Sequence, residues 1–393
     1  MTEPQGNKVY KRVLEETGAD ALFVSDETYK RYVAGFLTEG GYALADKSGT
    51  YLFTDARYLE AAEKLLTPLG VHVVESNKEN RAEEYLKKYA KVAVPFSEIT
   101  YAEFLNLQKS GALFADATGA LRECAKVKTE GELTAIARAC DIAEEGLLKT
   151  LPQIKEGMTE REVAALLEYE MRALGADGTS FDTIVAFGAA AAVPHHETGD
   201  AKLKFGDEIL IDFGCKSFGY CSDMTRTFLF GDDKKHEEFK KAYACVLAAQ
   251  LKVLDELKAG MTGGDGDKIA RDYLEAHGYG KYFPHSLGHG IGLKIHEFPS
   301  IRRGGEEVLA DGMVFSDEPG VYVAGEYGIR IEDTVTMKNG KKQKSTGRYE
   351  TDGDKISFVS DEDKSGLRRE FSFVKGEIAG TGVLHGKTLY VVF

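Results

Sequence analysis

The sequence has few cysteines and no apolar run long enough to span a membrane. Its longest apolar stretch, residues 184–193, is about half of the roughly 18 to 20 residues that a bilayer span needs. The amino terminus carries no basic segment followed by an apolar stretch, so we expect no secretory signal. The five cysteines are an odd number and show no Cys-x-x-Cys spacing, which argues against a disulfide framework. We therefore expect a cytoplasmic protein with reduced thiols.

Basic residues are outnumbered, since 50 lysines and arginines face 64 acidic residues and the formal net charge is −14. This balance disfavours the phosphate attraction on which nucleic-acid binding depends. The hydrophobic fraction of 43% and the charged fraction of 29% are typical of globular chains and exclude disordered classes. At 393 residues the chain is two to three times a domain of roughly 150. We expect at least two hydrophobic cores and no nucleic-acid or membrane partner.

Short β-type runs alternate with helical stretches in the first part of the chain. The β-type runs are residues 21–24, 51–54, 71–74 and 92–94, and residues 58–66 have helical spacing. This alternation favours a sheet with helices packed on it. We predict an α/β domain at residues 1–126.

The following residues contain longer helices and strand-rich, glycine-rich segments. A capping box, Thr159-x-x-Glu162, precedes apolar residues at helical spacing, which predicts a helix over 159–174. The same spacing predicts a helix over 236–257. We predict a second domain, of α+β type, at residues 127–344, followed by a β-rich extension of unknown role at residues 345–393.

The second domain repeats short motifs in the same order. Gly157-Met158-Thr159 recurs as Gly260-Met261-Thr262, and His196-Glu197 recurs as His296-Glu297, about a hundred residues later in each case. The shared order indicates an internal duplication, although each motif alone would recur by chance. Two copies would face each other across a pseudo-twofold axis, and the cleft on that axis is where we expect a site.

Two carboxylates are predicted to meet on a β-hairpin in the first copy. If the hairpin is symmetric about Ser217 and Phe218, Asp212 lies directly opposite Asp223, with Cβ atoms roughly 4.5–5.5 Å apart. Like charges at that distance repel, so a carboxylate must take up a proton or find a cation. A metal ion is the simplest partner.

The second copy contains a similar arrangement. A turn around Gly325 places Glu318 opposite Glu332, with Arg330 on the same face as Glu332. Arg330 either balances the acidic charge or takes part in the chemistry. Three alternating glycines surround His289 and indicate backbone that approaches another group closely, which makes His289 the candidate histidine ligand. Four carboxylates and one histidine would form an oxygen-rich site for a pair of divalent ions.

Five segments, taken in order, resemble the metal-ligand segments of a known enzyme family. They are Ile211-Asp212-Phe213-Gly214, Ser222-Asp223-Met224-Thr225-Arg226-Thr227, Gly288-His289-Gly290-Ile291-Gly292-Leu293 with His296-Glu297, Asp317-Glu318-Pro319-Gly320 and Arg330-Ile331-Glu332-Asp333. The family is that of the pita-bread metallopeptidases, which includes Xaa-Pro aminopeptidases, Xaa-Pro dipeptidases (prolidases) and methionine aminopeptidases. The resemblance implies a creatinase-like domain at residues 1–126 and a pita-bread catalytic domain with a pseudo-twofold repeat at residues 127–344.

The resemblance also implies a ligand set for two divalent ions. Asp212 would hold one ion, His289 with Glu318 would hold the other, and Asp223 with Glu332 would bridge both. Mn²⁺ is the favoured ion, with Co²⁺ or Zn²⁺ as alternatives.

The implied reaction is attack on a peptide carbonyl by a hydroxide that bridges the two ions. Glu318 would pass the proton to the leaving proline nitrogen, and Arg330 is included among the catalytic candidates. His285 and His296 would donate hydrogen bonds to the oxyanion and the substrate, and His195 would contact the substrate from the other lobe.

The amino-terminal domain favours the Xaa-Pro branch of the family, because bacterial-type methionine aminopeptidases lack it. Our first expectation is an Xaa-Pro aminopeptidase acting on proline-containing peptides as a homodimer. An Xaa-Pro dipeptidase is the alternative, and a catalytically silent binding protein of the same fold is a third possibility.

Overall fold

In a computed structural model of the chain, the described residues are 3–231 and 237–338, with the backbone of short strands beyond them. They form two compact units, Met1–Val127 and Lys128–Phe393. The extension predicted at residues 345–393 lies outside the described residues, apart from the backbone of four short strands. No helix within the described ranges has both the length and the apolar composition needed to cross a membrane.

The first unit is built on a six-stranded mixed sheet in the order β4-β3-β2-β1-β5-β6. Its strands are β1 (Ala21–Val24), β2 (Tyr42–Asp46), β3 (Gly49–Thr54), β4 (Val71–Glu75), β5 (Lys91–Val94) and β6 (Leu113–Asp116). Its helices are α1 (Gly6–Thr17), α2 (Glu27–Ala34), α3 (Ala56–Leu66), α4 (Ala82–Tyr85), α5 (Tyr101–Leu107) and α6 (Thr118–Lys126). The four predicted β-type runs correspond to β1, β3, β4 and β5. Every residue of β1 and β2 is buried, so neither strand shows the polar alternation of a half-exposed strand.

The second unit contains four long helices and several small antiparallel sheets. The helices are α7 (Glu130–Thr150), α8 (Glu160–Ala173), α9 (Glu237–Glu256) and α10 (Gly263–Ala276). The strands with described side chains are β7 (Gly178–Thr179), β8 (Ile184–Phe187), β9 (Glu208–Phe213), β10 (Cys215–Ser217), β11 (Tyr220–Cys221), β12 (Met224–Leu229), β13 (Gly288–Gly290), β14 (Glu297–Ile301), β15 (Val314–Asp317), β16 (Gly320–Val323), β17 (Tyr327–Arg330) and β18 (Asp333–Lys338). The strands described by backbone alone are β19 (Lys341–Lys344), β20 (Arg348–Asp352), β21 (Lys355–Val359), β22 (Thr381–Leu384) and β23 (Lys387–Tyr390).

The second unit consists of two halves with the same order of elements. In the first half, residues 128–231, α7 and α8 share an apolar core with β8, β9 and β12. In the second half, residues 237–338, α9 and α10 share a core with strands that include β15, β17 and β18. Each half therefore buries one face of a sheet under a helix pair.

The helix starts show the internal repeat most clearly. Thr159 forms a capping box at the start of α8, and Thr262 forms another at the start of α10. The N–H of Gly157 donates to the carbonyl of Leu203, and the N–H of Gly260 donates to the carbonyl of Leu309, both over 2.8 Å. The same hydrogen bonds at equivalent places confirm the predicted internal repeat.

Candidate metal centre and active site

The first pair of acids lies where β9 and β12 run antiparallel. The register pairs Asp212 with Thr225, so the prediction that Asp212 lies directly opposite Asp223 is wrong. The turn is centred on Phe218 and Gly219, one residue later than predicted, with φ angles of 49° and 78°. Because Asp223 precedes Thr225 by two residues, it lies on the same face as Asp212 in a diagonal position.

The second pair of acids follows the predicted register. Strand β16 pairs Gly320 with Arg330 of β17, and β15 pairs Asp317 with Asp333 of β18. Both pairs of strands share one register. Continued through residues 318 and 332, which lie between the two pairs, this register sets Glu318 opposite Glu332. The prediction for the second hairpin is therefore confirmed.

The two halves are joined by hydrogen bonds beside these acids. The N–H of Glu332 donates to the carbonyl of Thr225 over 3.1 Å, and the Thr225 hydroxyl donates to Glu332 Oε2 over 2.6 Å. The guanidinium of Arg226 also donates to the Glu332 carbonyl over 2.6 Å. The acids of both halves therefore belong to one buried cluster.

His289 lies on β13, between glycines whose backbone is in close contact with other chain segments. A Cβ atom on Gly288 would overlap the carbonyl oxygen of Ser316, and one on Gly290 would overlap the carbonyl of Phe298. This close approach was predicted from the alternating glycines. It sets His289 Nε2 3.4 Å from Asp223 Oδ2 and 3.5 Å from Glu318 Oε1.

The imidazole of His289 is oriented as a metal-binding histidine requires. Burial lowers its pKa, which favours the neutral ring. Its Nδ1 lies 3.1 Å from the Gly290 carbonyl oxygen, which can only accept, so Nδ1 carries the hydrogen. Nε2 is therefore left with a lone pair directed at carboxylates. Metal-ligating histidines are commonly fixed in this way by a hydrogen bond at the other ring nitrogen.

The carboxylates of the cluster are held in an environment that disfavours their charge. Burial, followed by repulsion from neighbouring carboxylates, raises the pKa values of Asp223 and Glu332 well above their usual range. Burial likewise raises the pKa of Glu318 to about 7, although Arg330 opposes the shift. Burial and mutual repulsion thus outweigh the positive charge of Arg330 at these carboxyl groups.

The donor set fits a divalent cation. Ligand atoms of Asp223, His289 and Glu332 all lie within 4.8 Å of one another. Asp212 Oδ1 is buried and makes no hydrogen bond within the described part of the chain. A cation would satisfy the carboxylate oxygens and the imidazole lone pair together, because oxygen and nitrogen atoms of these types are its normal ligands.

Arg330 is the cation that the protein itself supplies to this cluster. It is 3% exposed and donates to Asp212 Oδ2 over 2.6 Å and to Thr225 Oγ1 over 2.9 Å. It also donates to the Tyr322 hydroxyl oxygen over 2.8 Å. Burial works against its charge, but Tyr322 and the carboxylates, led by Asp212, raise its pKa overall.

The three candidate histidines are placed differently. His285 lies 2.9 Å from the Tyr322 hydroxyl through Nε2, and burial lowers its pKa to about 4. The ring of His296 is 4.3 Å from that of His289, and burial lowers its pKa as well. His195 is exposed and lies near enough to His285 and His296 to be a minor cause of their lowered pKa values. His196, next to His195, pairs with Glu160 over 2.9 Å.

Family models match most of the chain. Residues 134–339 match the model described as metallopeptidase family M24, and residues 9–125 match the creatinase/prolidase N-terminal domain. The chain belongs to the M24 metallopeptidases. Its architecture is accordingly a creatinase-like α/β domain followed by an M24 catalytic domain of the pita-bread fold, as predicted.

Individual relatives match almost over their full lengths. A Pyrococcus horikoshii protein named Xaa-Pro dipeptidase is 35% identical over 347 residues, which are 86% of this chain and 96% of that protein. The structure of the Xaa-Pro dipeptidase from Bacillus anthracis has a TM-score of 0.81 at 34% identity, and the match covers 86% of this chain and 97% of that one. The X-Pro aminopeptidase from Thermotoga maritima has a TM-score of 0.80 at 36% identity and covers 85% of this chain and 97% of its own.

Membership of the M24 metallopeptidases implies divalent metal ions, and three residues of the cluster, Asp223, His289 and Glu332, could hold one. The structure brings together all five predicted ligands and Arg330, with His285 connected through Tyr322. Tyr322 and Thr225 also belong to the site, but they are not among the site residues predicted from the sequence. Tyr322 could have been found from the two-residue period of a strand. Counted from Glu318 through Gly320, this period places the Tyr322 side chain on the same face as Glu318.

Proposed function

We propose that this M24 metallopeptidase is an Xaa-Pro dipeptidase, which cleaves the bond before a carboxyl-terminal proline. The buried cluster of four carboxylates and one histidine supports metal-dependent hydrolysis. The names of the Pyrococcus and Bacillus relatives favour the dipeptidase over the aminopeptidase that we placed first from the sequence. The Thermotoga relative named X-Pro aminopeptidase keeps that activity as the second candidate.

We assign the five acid and histidine side chains to two divalent ions, with Mn²⁺ favoured over Co²⁺ or Zn²⁺. Asp212 would hold one ion, while His289 and Glu318 would hold the other. Asp223 and Glu332 would bridge both. Supporting observations are the free buried oxygen of Asp212 and the lone pair of His289 that faces Asp223 and Glu318.

Divalent ions bound there would polarise the scissile carbonyl and lower the pKa of water, giving a nucleophile at neutral pH. Glu318 is proposed to move a proton to the leaving proline nitrogen. This proton is needed because proline leaves as a neutral amine and not as an amide anion, and the nitrogen of an Xaa-Pro bond has no hydrogen of its own. Arg330 keeps Asp212 paired with a positive charge during the reaction.

The histidines are proposed to bind the substrate. His296 and His195 can donate hydrogen bonds to the carbonyl oxygen and the peptide. In His285, Nδ1 donates to the Ser286 carbonyl over 2.8 Å, so the neutral ring accepts the Tyr322 hydroxyl hydrogen at Nε2. Donation by neutral His285 to the substrate therefore requires the substrate to replace the Ser286 carbonyl at Nδ1.

The first experiment compares an Xaa-Pro dipeptide with an Xaa-Pro-Xaa tripeptide, in Mn²⁺ after treatment with a chelator. We expect metal-dependent cleavage with a clear preference for the dipeptide. Preference for the tripeptide would establish the aminopeptidase instead. Absence of metal-dependent cleavage of both peptides would contradict the proposal and favour a silent binding protein. Asp223→Asn is the control, because it should abolish cleavage and weaken metal binding.

Three further predictions accompany this function. We expect a homodimer, which gel filtration can test. We expect a cytoplasmic location, which cell fractionation can test. We also expect residues 127–344 to keep the assigned ligand set when the segment 345–393 is deleted, since all five assigned ligands precede it.

A further inference from the structure

An ion pair on α10 contacts the segment that carries His285. Asp267 and Arg271 lie one turn apart, and Arg271 donates Nε to Oδ2 and Nη2 to Oδ1 of Asp267, each over 2.7 Å. Asp267 is 1% exposed, and the Arg271 side chain is 12% exposed. A bidentate pair fixes both side chains in one orientation. The remaining N–H groups of Arg271 are therefore presented in a defined direction.

Those remaining groups bind the backbone around His285. Arg271 donates Nη1 to the carbonyl of Phe283 over 2.9 Å and Nη2 to the carbonyl of His285 over 2.8 Å. Asp267 Oδ1 accepts the N–H of Leu287 over 3.1 Å. The guanidinium also lies 4.2 Å from the centroid of the Phe283 ring. Residues 283, 285 and 287 are thus all attached to α10.

The side chain of His285 reaches from this attachment toward the metal centre. Its Nε2 contacts the Tyr322 hydroxyl, which also accepts a hydrogen bond from Arg330, and Arg330 in turn binds Asp212. Within the described part of the chain, the hydrogen bonds of Asp267 and Arg271 end on each other and on the 283–287 backbone. The ion pair therefore reaches the centre through residues 283–287. Arg271 holds the carbonyls of Phe283 and His285, whereas Asp267 holds Leu287, whose carbonyl accepts the N–H of Glu318 over 2.9 Å.

We propose that Asp267 and Arg271 are positioning residues for His285, so that they act on the reaction through the placement of its imidazole. This inference rests on the proposed function, because it requires that His285 matter for hydrolysis. Displacement of a catalytic group by about 1 Å can reduce a rate by about 100-fold. Arg271 also contributes to the lowered pKa of His285, which is consistent with their proximity.

Arg271→Lys is the informative variant. Lysine keeps a positive charge beside the buried Asp267, which supports folding, but it cannot reproduce the planar fork that binds Asp267 and two carbonyl groups at once. We expect kcat for the Xaa-Pro dipeptide to fall about 10- to 100-fold. We expect the Kd for Mn²⁺, measured by calorimetry, to stay within about twofold, because the variant keeps Asp267 and its hydrogen bond to Leu287, whose carbonyl binds the N–H of Glu318.

Lys268→Met is the matched control. Lys268 forms an ion pair with Asp272 at the same spacing on α10, but both side chains are more than half exposed. The control should leave kcat and the Kd for Mn²⁺ unchanged, since surface pairs contribute little.

The deciding measurement is a double-mutant cycle with His285→Gln. If Arg271 acts through His285, Arg271→Lys should lower kcat in the wild-type background and cause no further loss in the His285→Gln background. Equal losses in both backgrounds would overturn the inference, and so would a Kd for Mn²⁺ that rises as much as kcat falls. If His285→Gln alone leaves metal-dependent dipeptide hydrolysis intact, the inference is wrong while the proposed function stands. Failure of the wild-type protein to cleave any Xaa-Pro substrate would instead refute the proposed function.

Discussion

Replacing Thr225 with valine would test how strongly a buried hydroxyl supports the acid cluster. Thr225 is fully buried, donates to Glu332 Oε2 and accepts from Arg330 Nε. Valine has nearly the same shape but lacks the hydroxyl. The variant therefore removes one hydrogen bond to a carboxylate and leaves one guanidinium N–H without its partner, while the packing stays the same.

The expected magnitude follows from these two contacts. A hydrogen bond to a charged group contributes about 1.5–3 kcal/mol, and an unsatisfied buried donor costs about 1–3 kcal/mol. Since the two contributions share one hydroxyl and are not additive, we expect a loss of about 3 kcal/mol in the free energy of unfolding of the metal-free protein. Loss of a partner that orients a metal ligand typically weakens metal affinity about 10- to 100-fold.

Calorimetric titration with Mn²⁺ and urea denaturation measure the two effects separately. Thr227→Val is the matched control, because Thr227 is equally buried on the same face of β12. Among the described residues its hydroxyl binds only the backbone of Arg330. The control should lose stability but keep its Kd for Mn²⁺. An unchanged Kd in Thr225→Val, or an equal change in both variants, would refute the assignment of Glu332 as a ligand supported by Thr225.

Three other outcomes are expected. In the metal-free protein the raised pKa values of Asp223, Glu318 and Glu332 mean that folding takes up protons, so stability falls as pH rises from about 4.5 toward 7 and above. The increase in Tm that Mn²⁺ causes should therefore grow between pH 5 and pH 8, and a constant increase would contradict the assigned cluster. Glu208 is 5% exposed, and burial raises its pKa from 4.5 to about 7. Its contribution to stability is therefore fully present below about pH 4.5 and is lost as pH rises through 7. Glu208→Gln should stabilise the protein by at most about 3 kcal/mol at pH 8 and have little effect at pH 4.5 in thermal denaturation, and an effect independent of pH would refute this reasoning. Gly290→Ala should lower both Tm and Mn²⁺ content because its Cβ would overlap the Phe298 carbonyl, whereas Gly119→Ala, which has open space around it, should not; equal behaviour of the two variants would count against the close packing of β13.

The sequence predicts the repeated architecture because its signals are local. A capping box with apolar spacing specifies α8, and apolar spacing alone specifies α9, each to within a residue or two. The second hairpin was also predicted in the correct register, because Gly325 has a φ of 78° and marks the turn. In the first hairpin, Phe218 adopts a positive φ that a non-glycine residue rarely shows, so the pattern placed the turn one residue too early.

The roles of polar residues inside strands are harder to predict from the sequence. Thr225 and Tyr322 belong to residue types that are common in strands, so their side chains gave no sign of a role beyond packing. Their function depends on residues that the fold brings beside them from distant parts of the sequence. Glu332 contacts Thr225 from 107 residues away in the sequence, and His285 contacts Tyr322 from 37 residues away. Such pairings follow from the tertiary fold, and the spacing along one strand does not encode them.

The hydrogen bond from the Glu332 amide to the Thr225 carbonyl joins the two halves of the catalytic unit beside the assigned ligands. Two of those ligands come from the first half and three from the second. Any opening that separates the halves would therefore break the ligand set at the same moment as it exposes this amide to solvent. Exchange of the Glu332 amide hydrogen with deuterated water thus reports the opening of the active site directly. A bound ion would slow this exchange in proportion to the affinity that is lost when the halves part. A single backbone position can therefore measure how closely metal binding is coupled to the closure of the two halves.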